Sequence, residues 1–417
     1  MPHGFPALIA AQFVSGLADN ALLIVTIARL GELGAPPWWA PALKLGFTLA
    51  YVLLAPWVGA WADAWPKARV MFATNALKAG ACGLIALGGD PLLAFGLAGI
   101  GAAAYSPAKY GLVTELLPPA RLVAANGWIE VCTVGAVLLG TVLGGLLIGP
   151  WALAEGAQVL PLGDADTRLL PALAGVLALY AAAALLNLAI PDSGARYPRG
   201  SPGVLRSLRR FAADNRRLWR DPSGRVSLSV TTLFWGVGAT LQFIVLRWGQ
   251  ESLGLGLHAA AGLQAAVAVG VIGGAAAAGA WLPLARATAV LPLGIAMGLL
   301  VPGLTVFESA PAALPLLALV GASAGFFVVP MNALLQHRGH VLLTAGRSIA
   351  VQNFNENLGV LLLLAVYAAL TAAALPLAQL IWGLGALVAT TMALIGRLHQ
   401  RARHRSPTHA PTAPEHA

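Results

Sequence analysis

The chain has 417 residues, of which 58% are hydrophobic and 10% charged, and its formal net charge is +9. A water-soluble protein carries about 25% charged residues, so this composition excludes an ordinary soluble enzyme and indicates an integral membrane protein. The basic residues follow alternate connections and do not form one patch, which argues against nucleic acid as a partner.

Apolar segments long enough to cross a bilayer occur twelve times along the chain. A hydrocarbon core about 30 Å thick needs about 20 residues at a rise of about 1.5 Å each. The predicted spans are 6–30, 41–62, 70–88, 91–112, 125–149, 169–190, 226–247, 258–283, 287–307, 311–335, 344–370 and 374–396. The pattern predicts an all-α protein of twelve transmembrane helices. Glycine-rich runs such as 270–274 predict close helix approach.

The distribution of basic residues predicts the orientation. Most of the Lys and Arg residues lie in the even connections and near the C-terminus, whereas the odd connections carry acids such as Glu251 and Glu308. Both termini are therefore expected to be cytoplasmic. The first span lacks a basic segment before it and is expected to be retained. Cys82 and Cys132 lack CxxC spacing, and we expect neither a disulfide nor a metal site.

The longest polar connection divides the spans into two sets of six. We predict an N-terminal half over 1–190, a basic cytoplasmic linker over 191–225, a C-terminal half over 226–397 and a disordered tail over 398–417. Within the linker, apolar residues recur at helical spacing while arginines fall off that face. The apolar residues are Val204, Leu205, Leu208, Phe211, Ala212, Leu218 and Trp219. Such a helix either lies on the anionic leaflet or docks on the bundle.

Six of the charged residues inside the apolar spans are candidates for a functional role. Each costs roughly 2.5–3.5 kcal/mol at the centre of a helix on insertion scales, and Asp19, which cannot reach either interface, must face protein or a watery cavity. They are Asp19, Lys44, Lys78, Lys109, Glu130 and Glu356. Groups this costly favour a transporter, in which they contact the polar part of a substrate.

Each candidate also has a structural interpretation. Asp19 with Asn20 is predicted to bind a head-group amine or a coupling cation, and the alternative is an interhelical hydrogen bond. Glu356, in a polar turn with Asn353, has a structural ion pair as its alternative. Lys109 either binds phosphate or extends to the membrane interface.

Glu130 either contacts the substrate or forms a structural ion pair with Lys109 or Lys78. Its surroundings are echoed in the other half, where a Pro precedes an acid at a similar distance: Pro107 precedes Glu130, and Pro330 precedes Glu356. Two related six-helix halves around a central site are typical of major facilitator transporters.

The connection between the second and third spans strengthens this interpretation. It resembles the major facilitator loop signature, in which Gly59 and Asp63 at a helix end are followed by Lys67 and Arg69 in a tight turn. We expect Asp63 to pair with a base or to cap a neighbouring helix N-terminus at a cytoplasmic gate, and to release it on opening.

Several further segments resemble one family in particular, the bacterial lysophospholipid transporters. These segments are Ala11–Phe13, Asp19–Leu23, Gly101–Gly111, Leu233–Gly236 and Gly325–Gln336. The resemblance extends from about 8 to 396. It implies flipping of lysophosphatidylethanolamine and lysophosphatidylglycerol from the outer to the inner leaflet, where a cytoplasmic acyltransferase re-esterifies them.

One position departs from the family pattern. The family has an Arg in the seventh span after the Phe-Trp-Gly motif, where this chain has Gln242. Arg247 follows five residues later, about 140° round the helix, and is an imperfect replacement. We therefore include Gln242 among the substrate-site candidates and expect phosphate to be held differently here.

Other functions are less well supported by the sequence. The first alternative is a proton-coupled exporter of drugs or small amphiphiles, using Asp19 or Glu356. The second is a lipid-modifying membrane enzyme or scaffold, but no P-loop, HExxH or GxSxG motif opens a hydrolase-like turn in this chain. We predict a monomeric transporter without a cofactor, whose partners are lysophospholipid and membrane lipids.

Overall fold

A computed structural model describes residues 4–36, 38–159, 168–195, 197 and 203–405. Fourteen α-helices occur in these described residues. In chain order they are α1 (Gly4–Glu32), α2 (Trp39–Ala64), α3 (Lys67–Ala86), α4 (Pro91–Leu116), α5 (Leu122–Leu147), α6 (Pro150–Val159), α7 (Leu170–Leu188), α8 (Val204–Arg220), α9 (Pro222–Glu251), α10 (Leu257–Trp281), α11 (Leu291–Leu300), α12 (Ala310–Leu342), α13 (Ala345–Ala372) and α14 (Leu377–Arg405).

Every predicted span coincides with one of these helices, so the all-α membrane fold is confirmed. Eleven helical segments of the described chain are long and apolar enough to cross a membrane. The one predicted span not among these eleven is the third, α3, which is more polar because it carries the buried Asn75 and Lys78. The ninth span is α11 extended at both ends by 3₁₀ turns, Leu284–Val290 and Val301–Val306.

Local sequence explains where several helices begin. Asp90 accepts a hydrogen bond from the backbone N–H of Leu93 at 2.8 Å, and Pro91 occupies the first turn of α4. Asp221 does the same for the N–H of Gly224 at 2.8 Å, ahead of α9. An acidic N-cap followed by Pro satisfies the free N–H groups and presets the backbone.

Two features differ from the sequence expectations. A short helix, α6, occupies the connection after the fifth span, where no helix is predicted. The last helix continues past Arg397 to Arg405, so the predicted disordered tail is wrong for 398–405, where the helical hydrogen bonding continues. The rest of that tail, 406–417, lies outside the described residues, as do parts of the 191–225 linker.

Glycines hold α10 and α12 in very close contact. A Cβ on Gly270 would lie 2.1 Å from the carbonyl oxygen of Ala318, and one on Gly274 would lie 1.9 Å from that of Ala322. From the other helix, a Cβ on Gly321 would lie 2.0 Å from the carbonyl oxygen of Val267. These backbones touch only because no side chain intervenes, as the glycine spacing predicts.

Gly274→Ala should therefore destabilise the bundle. The added methyl would force α10 away from α12, and overpacking of this kind costs about 1–3 kcal/mol. Thermal unfolding of the purified protein in detergent should show a midpoint several degrees lower. Gly273→Ala is the matched control, because its Cβ would meet nothing within 4 Å. Equal midpoints for the two variants would contradict the packing argument.

The end of the bundle that carries Gly4 and Arg405 is called the terminal face. Buried apolar side chains from both sets of six spans pack together there, including Phe5 and Leu8 of α1, Ala278 of α10 and Val328 of α12. Between the two sets, α2 packs on α13 and α5 packs on α10. The terminal face is therefore sealed by contacts between the first six spans and the last six.

Candidate functional site

A cavity of about 270 Å³ lies within the first six spans. It starts near the middle of α1 and extends toward the face opposite the terminal face, where α2 and α4 begin. Its charged and amide residues are Gln12, Asp19, Asn20, Lys44, Lys78 and Lys109, and its apolar residues include Leu23, Phe47, Phe95 and Val137. The cavity therefore offers both signs of charge beside an apolar wall.

Asp19 is paired with Lys78, and the pair forms one wall of this cavity. The Lys78 ammonium lies 2.8 Å from Oδ2 of Asp19, and the Tyr180 hydroxyl donates to Oδ1 of Asp19 at 2.8 Å. Lys78 is only 1% exposed and also donates to the Ser15 hydroxyl at 3.2 Å. The carboxylate is therefore compensated in this conformation while it still borders the cavity.

The other candidates in the first six spans surround this pair. The Lys109 ammonium lies 4.1 Å from the centroid of the Tyr110 ring, a cation–π distance, and Lys109 lines the cavity. Glu130 is buried on α5 and interacts electrostatically with Lys109, but it does not line the cavity. The Asn20 side chain donates to the carbonyl of Gly16 at 2.8 Å within α1.

A second polar cluster lies on α13 and α12. The Gln352 amide donates to Oε1 of Glu356 at 2.8 Å and to Oδ1 of Asn332 at 3.1 Å. The next residue after Gln352 is Asn353, whose amide donates to the Ser106 hydroxyl of α4 at 2.9 Å, and Ser106 lines the cavity. Asn353 thus connects the α13 cluster to the cavity of the first six spans.

Gln242 is not brought together with the other candidates. Its side chain is exposed on α9, and its backbone carbonyl accepts a hydrogen bond from Gln264 at 2.8 Å. Arg247, the nearby base, pairs with Glu251 at 2.5 Å one turn along the same helix. In this conformation, neither residue lines the cavity. A role for Gln242 stays a prediction.

At the terminal face, Asp63 caps the N-terminus of α13. Its carboxylate accepts from the backbone N–H of Gly346 at 2.8 Å and of Arg347 at 3.2 Å, and from the Thr344 hydroxyl. The Lys67 ammonium lies 3.6 Å from the same carboxylate. An anion at a helix N-terminus satisfies free N–H groups and the helix dipole, so this contact joins the first six spans to the last six.

The remaining signature residues differ in how closely they join this contact. A Cβ on Gly59 would lie 2.8 Å from the carbonyl oxygen of Gly346, so glycine is needed for α2 to approach α13. Arg69 is exposed and takes part in none of the described contacts around Asp63. We refer to Asp63, Lys67 and the start of α13 as the gate.

Lys67 also holds an acid that the sequence analysis did not single out. Its ammonium lies 2.6 Å from Oε1 of Glu115, which in turn accepts from the Ser193 hydroxyl at 2.6 Å and the Tyr197 hydroxyl at 3.1 Å. Burial and the Glu115 carboxylate raise the pKa of Tyr197, so its hydroxyl remains a donor at neutral pH. The beginning of the linker is thus tied to the gate.

A buried amide pair also seals the terminal face. Asn126 of α5 and Gln336 of α12 exchange two hydrogen bonds, each 2.9 Å long. The sequence analysis did not single out this pair. Its one available signal was that Asn126 lies one turn before Glu130, in the segment that is echoed in the second half. These bonds join the two sets of spans and would break if the terminal face opened.

Comparison with known proteins identifies the family. The profile of the Major Facilitator Superfamily matches residues 8–364. Lysophospholipid transporter LplT of Klebsiella pneumoniae (strain 342) is 40% identical over 393 residues, which are 94% of this chain and 95% of that relative. The chain belongs to the lysophospholipid transporter family of the Major Facilitator Superfamily. The resemblance inferred from the motifs is confirmed.

Further comparisons agree with this family. Lysophospholipid transporter LplT of Cronobacter sakazakii (strain ATCC BAA-894) is 42% identical over 392 residues, which are 94% of each chain. The structure of the transporter FucP in its outward conformation superposes with a TM-score of 0.72 at 16% identity, covering 98% of this chain and 99% of FucP. At that identity the likeness shows the fold alone, and it confirms the predicted major facilitator fold.

Proposed function

We propose that this protein flips lysophospholipids from the outer to the inner leaflet of the bacterial inner membrane by alternating access between two six-helix halves, 1–190 and 226–397. The proposed substrates are lysophosphatidylethanolamine and lysophosphatidylglycerol. The observation that carries the proposal is identity of about 40% over nearly the whole chain with proteins named lysophospholipid transporters.

The cavity chemistry supports a single-tailed phospholipid. Asp19 and Lys109 supply opposite charges at its wall, which suit a zwitterionic or anionic head group. Apolar residues such as Leu23 and Val137 lie beside them, and the acyl chain would remain between helices and in lipid. We assign the head group to Asp19, Asn20 and Lys109.

The remaining candidates belong to the conformational cycle or to a later stage of transport. We propose that Glu130, Asn353 and Glu356 contact the substrate or a coupling ion after the cavity reorganises, and that Gln242 joins them only then. We propose that Gly59, Asp63, Lys67 and Arg69 form the gating segment. The closed terminal face and the cavity extending away from it correspond to an outward-facing stage.

A reconstituted transport assay tests the substrate directly. Proteoliposomes should take up labelled lysophosphatidylethanolamine and lysophosphatidylglycerol, and a doubly acylated phosphatidylethanolamine should serve as the negative control. Parallel measurements with and without proton or sodium gradients would show whether flipping is facilitated or coupled. Equal leaflet exchange in protein-free liposomes would overturn the proposed function.

We also propose that both termini face the cytoplasm and that the protein acts as a monomer. A separate cytoplasmic acyltransferase would re-esterify the delivered lipid, and removal of the product would maintain the gradient. The transporter itself has no proposed catalytic residue. The support for this orientation is the concentration of basic residues in the even connections, including the arginines of α8.

Cysteine labelling in intact cells should distinguish the two orientations. In a background where Cys82 and Cys132 are replaced, Glu308→Cys should react with a membrane-impermeant thiol reagent added outside. Arg210→Cys on α8 should react only after the cells are permeabilised. Reaction of the second variant in intact cells would reverse the proposed orientation.

A further inference from the structure

Helix α8 has two parts with different surroundings, and its second part docks firmly on the bundle. Leu218 is buried with Leu228, Leu335 and Val351, and the rings of Phe211 and Phe354 meet edge to face at 5.1 Å. This part of the helix therefore belongs to the folded core of the terminal face, and its register is fixed by apolar packing.

Two bidentate ion pairs secure that docking. Asp214 of α8 accepts from the guanidinium of Arg347, with an Nε to Oδ2 distance of 2.8 Å. Just past α8, Asp221 accepts from the guanidinium of Arg338, with an Nε to Oδ2 distance of 3.1 Å. Burial alone would raise the pKa of Asp221, but hydrogen bonds from Arg338 and Gly224 outweigh it and lower that pKa.

The Asp214 pair connects α8 to the gate through one residue. The guanidinium of Arg347 is held by Asp214, while its backbone N–H donates to Asp63 at 3.2 Å. The start of α13 is thus held from one side by the second span and from the other by the linker helix. Any force that stabilises α8 in place also stabilises the closed gate.

The first part of α8 leaves its apolar face uncovered. Val204, Leu205 and Leu208 are 65%, 59% and 42% exposed. Val204 and Leu208 precede Phe211 at helical spacing, so they lie on the same side of the helix that docks on the bundle further along. The apolar face therefore continues beyond the edge of the protein.

The arginines of α8 determine what can cover that face. Arg206, Arg209 and Arg210 accompany the exposed apolar residues and are themselves exposed. A helix with an apolar face and an arginine-rich polar face lies in the head-group region of a membrane, and anionic lipid strengthens the attachment. A partner protein would have to supply both an apolar groove and acidic groups.

We propose that the first two turns of α8 lie in the anionic lipid surface of the cytoplasmic leaflet, and that this attachment stabilises the closed gate through Asp214 and Arg347. The inference relies on the orientation proposed above but not on the substrate. Anionic lipid would thereby raise the population of the outward-facing state and adjust transport to membrane composition.

Fluorescent labels on α8 test the attachment in the full-length protein. In a background where Cys82 and Cys132 are replaced, a label on Leu208→Cys should enter an apolar environment in nanodiscs, more so with phosphatidylglycerol than with phosphatidylcholine alone. Ala213→Cys is the control, because Ala213 lies on the opposite, exposed side of α8. A label at 208 that stays in water in both lipids would overturn the attachment.

The charge contribution has its own control. Replacing Arg206, Arg209 and Arg210 together by Gln should remove the response to phosphatidylglycerol, because each base near an anionic surface contributes to binding. Arg225→Gln, at an exposed base in the first turn of α9, should leave the response to phosphatidylglycerol unchanged. A response unchanged by the triple replacement would show that an apolar partner, and not anionic lipid, covers the helix.

A second readout tests the connection to the gate without measuring transport. Phosphatidylglycerol should speed modification of Val137→Cys, a cavity-lining position, by an impermeant thiol reagent. Asp214→Asn should abolish that acceleration while the label at 208 still reports attachment. An Asp214→Asn variant that keeps the full acceleration would overturn the coupling. Because no lysophospholipid is used, failure here is distinct from failure of the proposed function.

Discussion

Asp63→Asn should reduce lysophospholipid uptake per folded molecule by about tenfold. The carboxylate accepts from the Thr344 hydroxyl and from the N–H groups of Gly346 and Arg347, and it pairs with Lys67. Asn has the same shape but one acceptor oxygen and no charge. Hydrogen bonds to a charged group contribute about 1.5–3 kcal/mol, so losing about 1.5 kcal/mol shifts the gate equilibrium roughly tenfold.

The uptake assay should be normalised to folded protein, measured as monodisperse material after purification. Arg121→Gln is the control, because Arg121 is exposed in the connection between α4 and α5 and takes part in none of the described gate contacts. It should transport at close to the wild-type rate. If Asp63→Asn transports normally at normal expression, the gate assignment is wrong even though the capping geometry is present.

Asp19→Asn should lower both thermal stability and uptake. The change leaves the Lys78 ammonium, which is 1% exposed, without its anionic partner. Breaking a buried ion pair from one side costs about 3–5 kcal/mol, and the 20% exposure of the Asp19 side chain places the cost toward the lower value. The single variant alone therefore cannot separate a structural role from a functional one.

The double variant Asp19→Asn with Lys78→Met separates the two roles. Replacing both members of a buried pair is often nearly neutral, so thermal stability should return toward that of the wild type. If Asp19 contacts the head group or a coupling cation, uptake of lysophosphatidylethanolamine should stay severalfold below wild type. Recovery of uptake together with stability would remove Asp19 from the substrate site and leave it as the partner of Lys78.

The sequence was sufficient for much of the fold because its strongest signals are local. The thickness of the hydrocarbon core sets the length of every span, and acidic N-caps followed by Pro mark the starts of α4 and α9. The amphipathic pattern likewise located α8. It left open whether that helix docks or meets lipid, because periodicity identifies an apolar face without identifying what covers it.

The ends of elements were less predictable for a related reason. Helix α14 continues past the apolar segment because its hydrogen bonds lie within the helix and do not require burial. The polar α3 is a span because its neighbours bury Asn75 and Lys78, which hydropathy alone counts as unfavourable. In both cases, hydropathy reports the average surroundings of a segment, whereas backbone hydrogen bonding and side-chain partners decide its structure.

The sequence by itself determined the number of spans, the family and the unusual polar residues inside the membrane. Only the tertiary structure decided the partners of those residues. Asp19 meets Lys78 across 59 positions, Asn126 meets Gln336 across 210, and Asp63 meets Gly346 across 283. Such pairs depend on which helices are neighbours and on how each helix is rotated about its axis. Packing across the whole bundle decides both, so the sequence of a single segment cannot predict them.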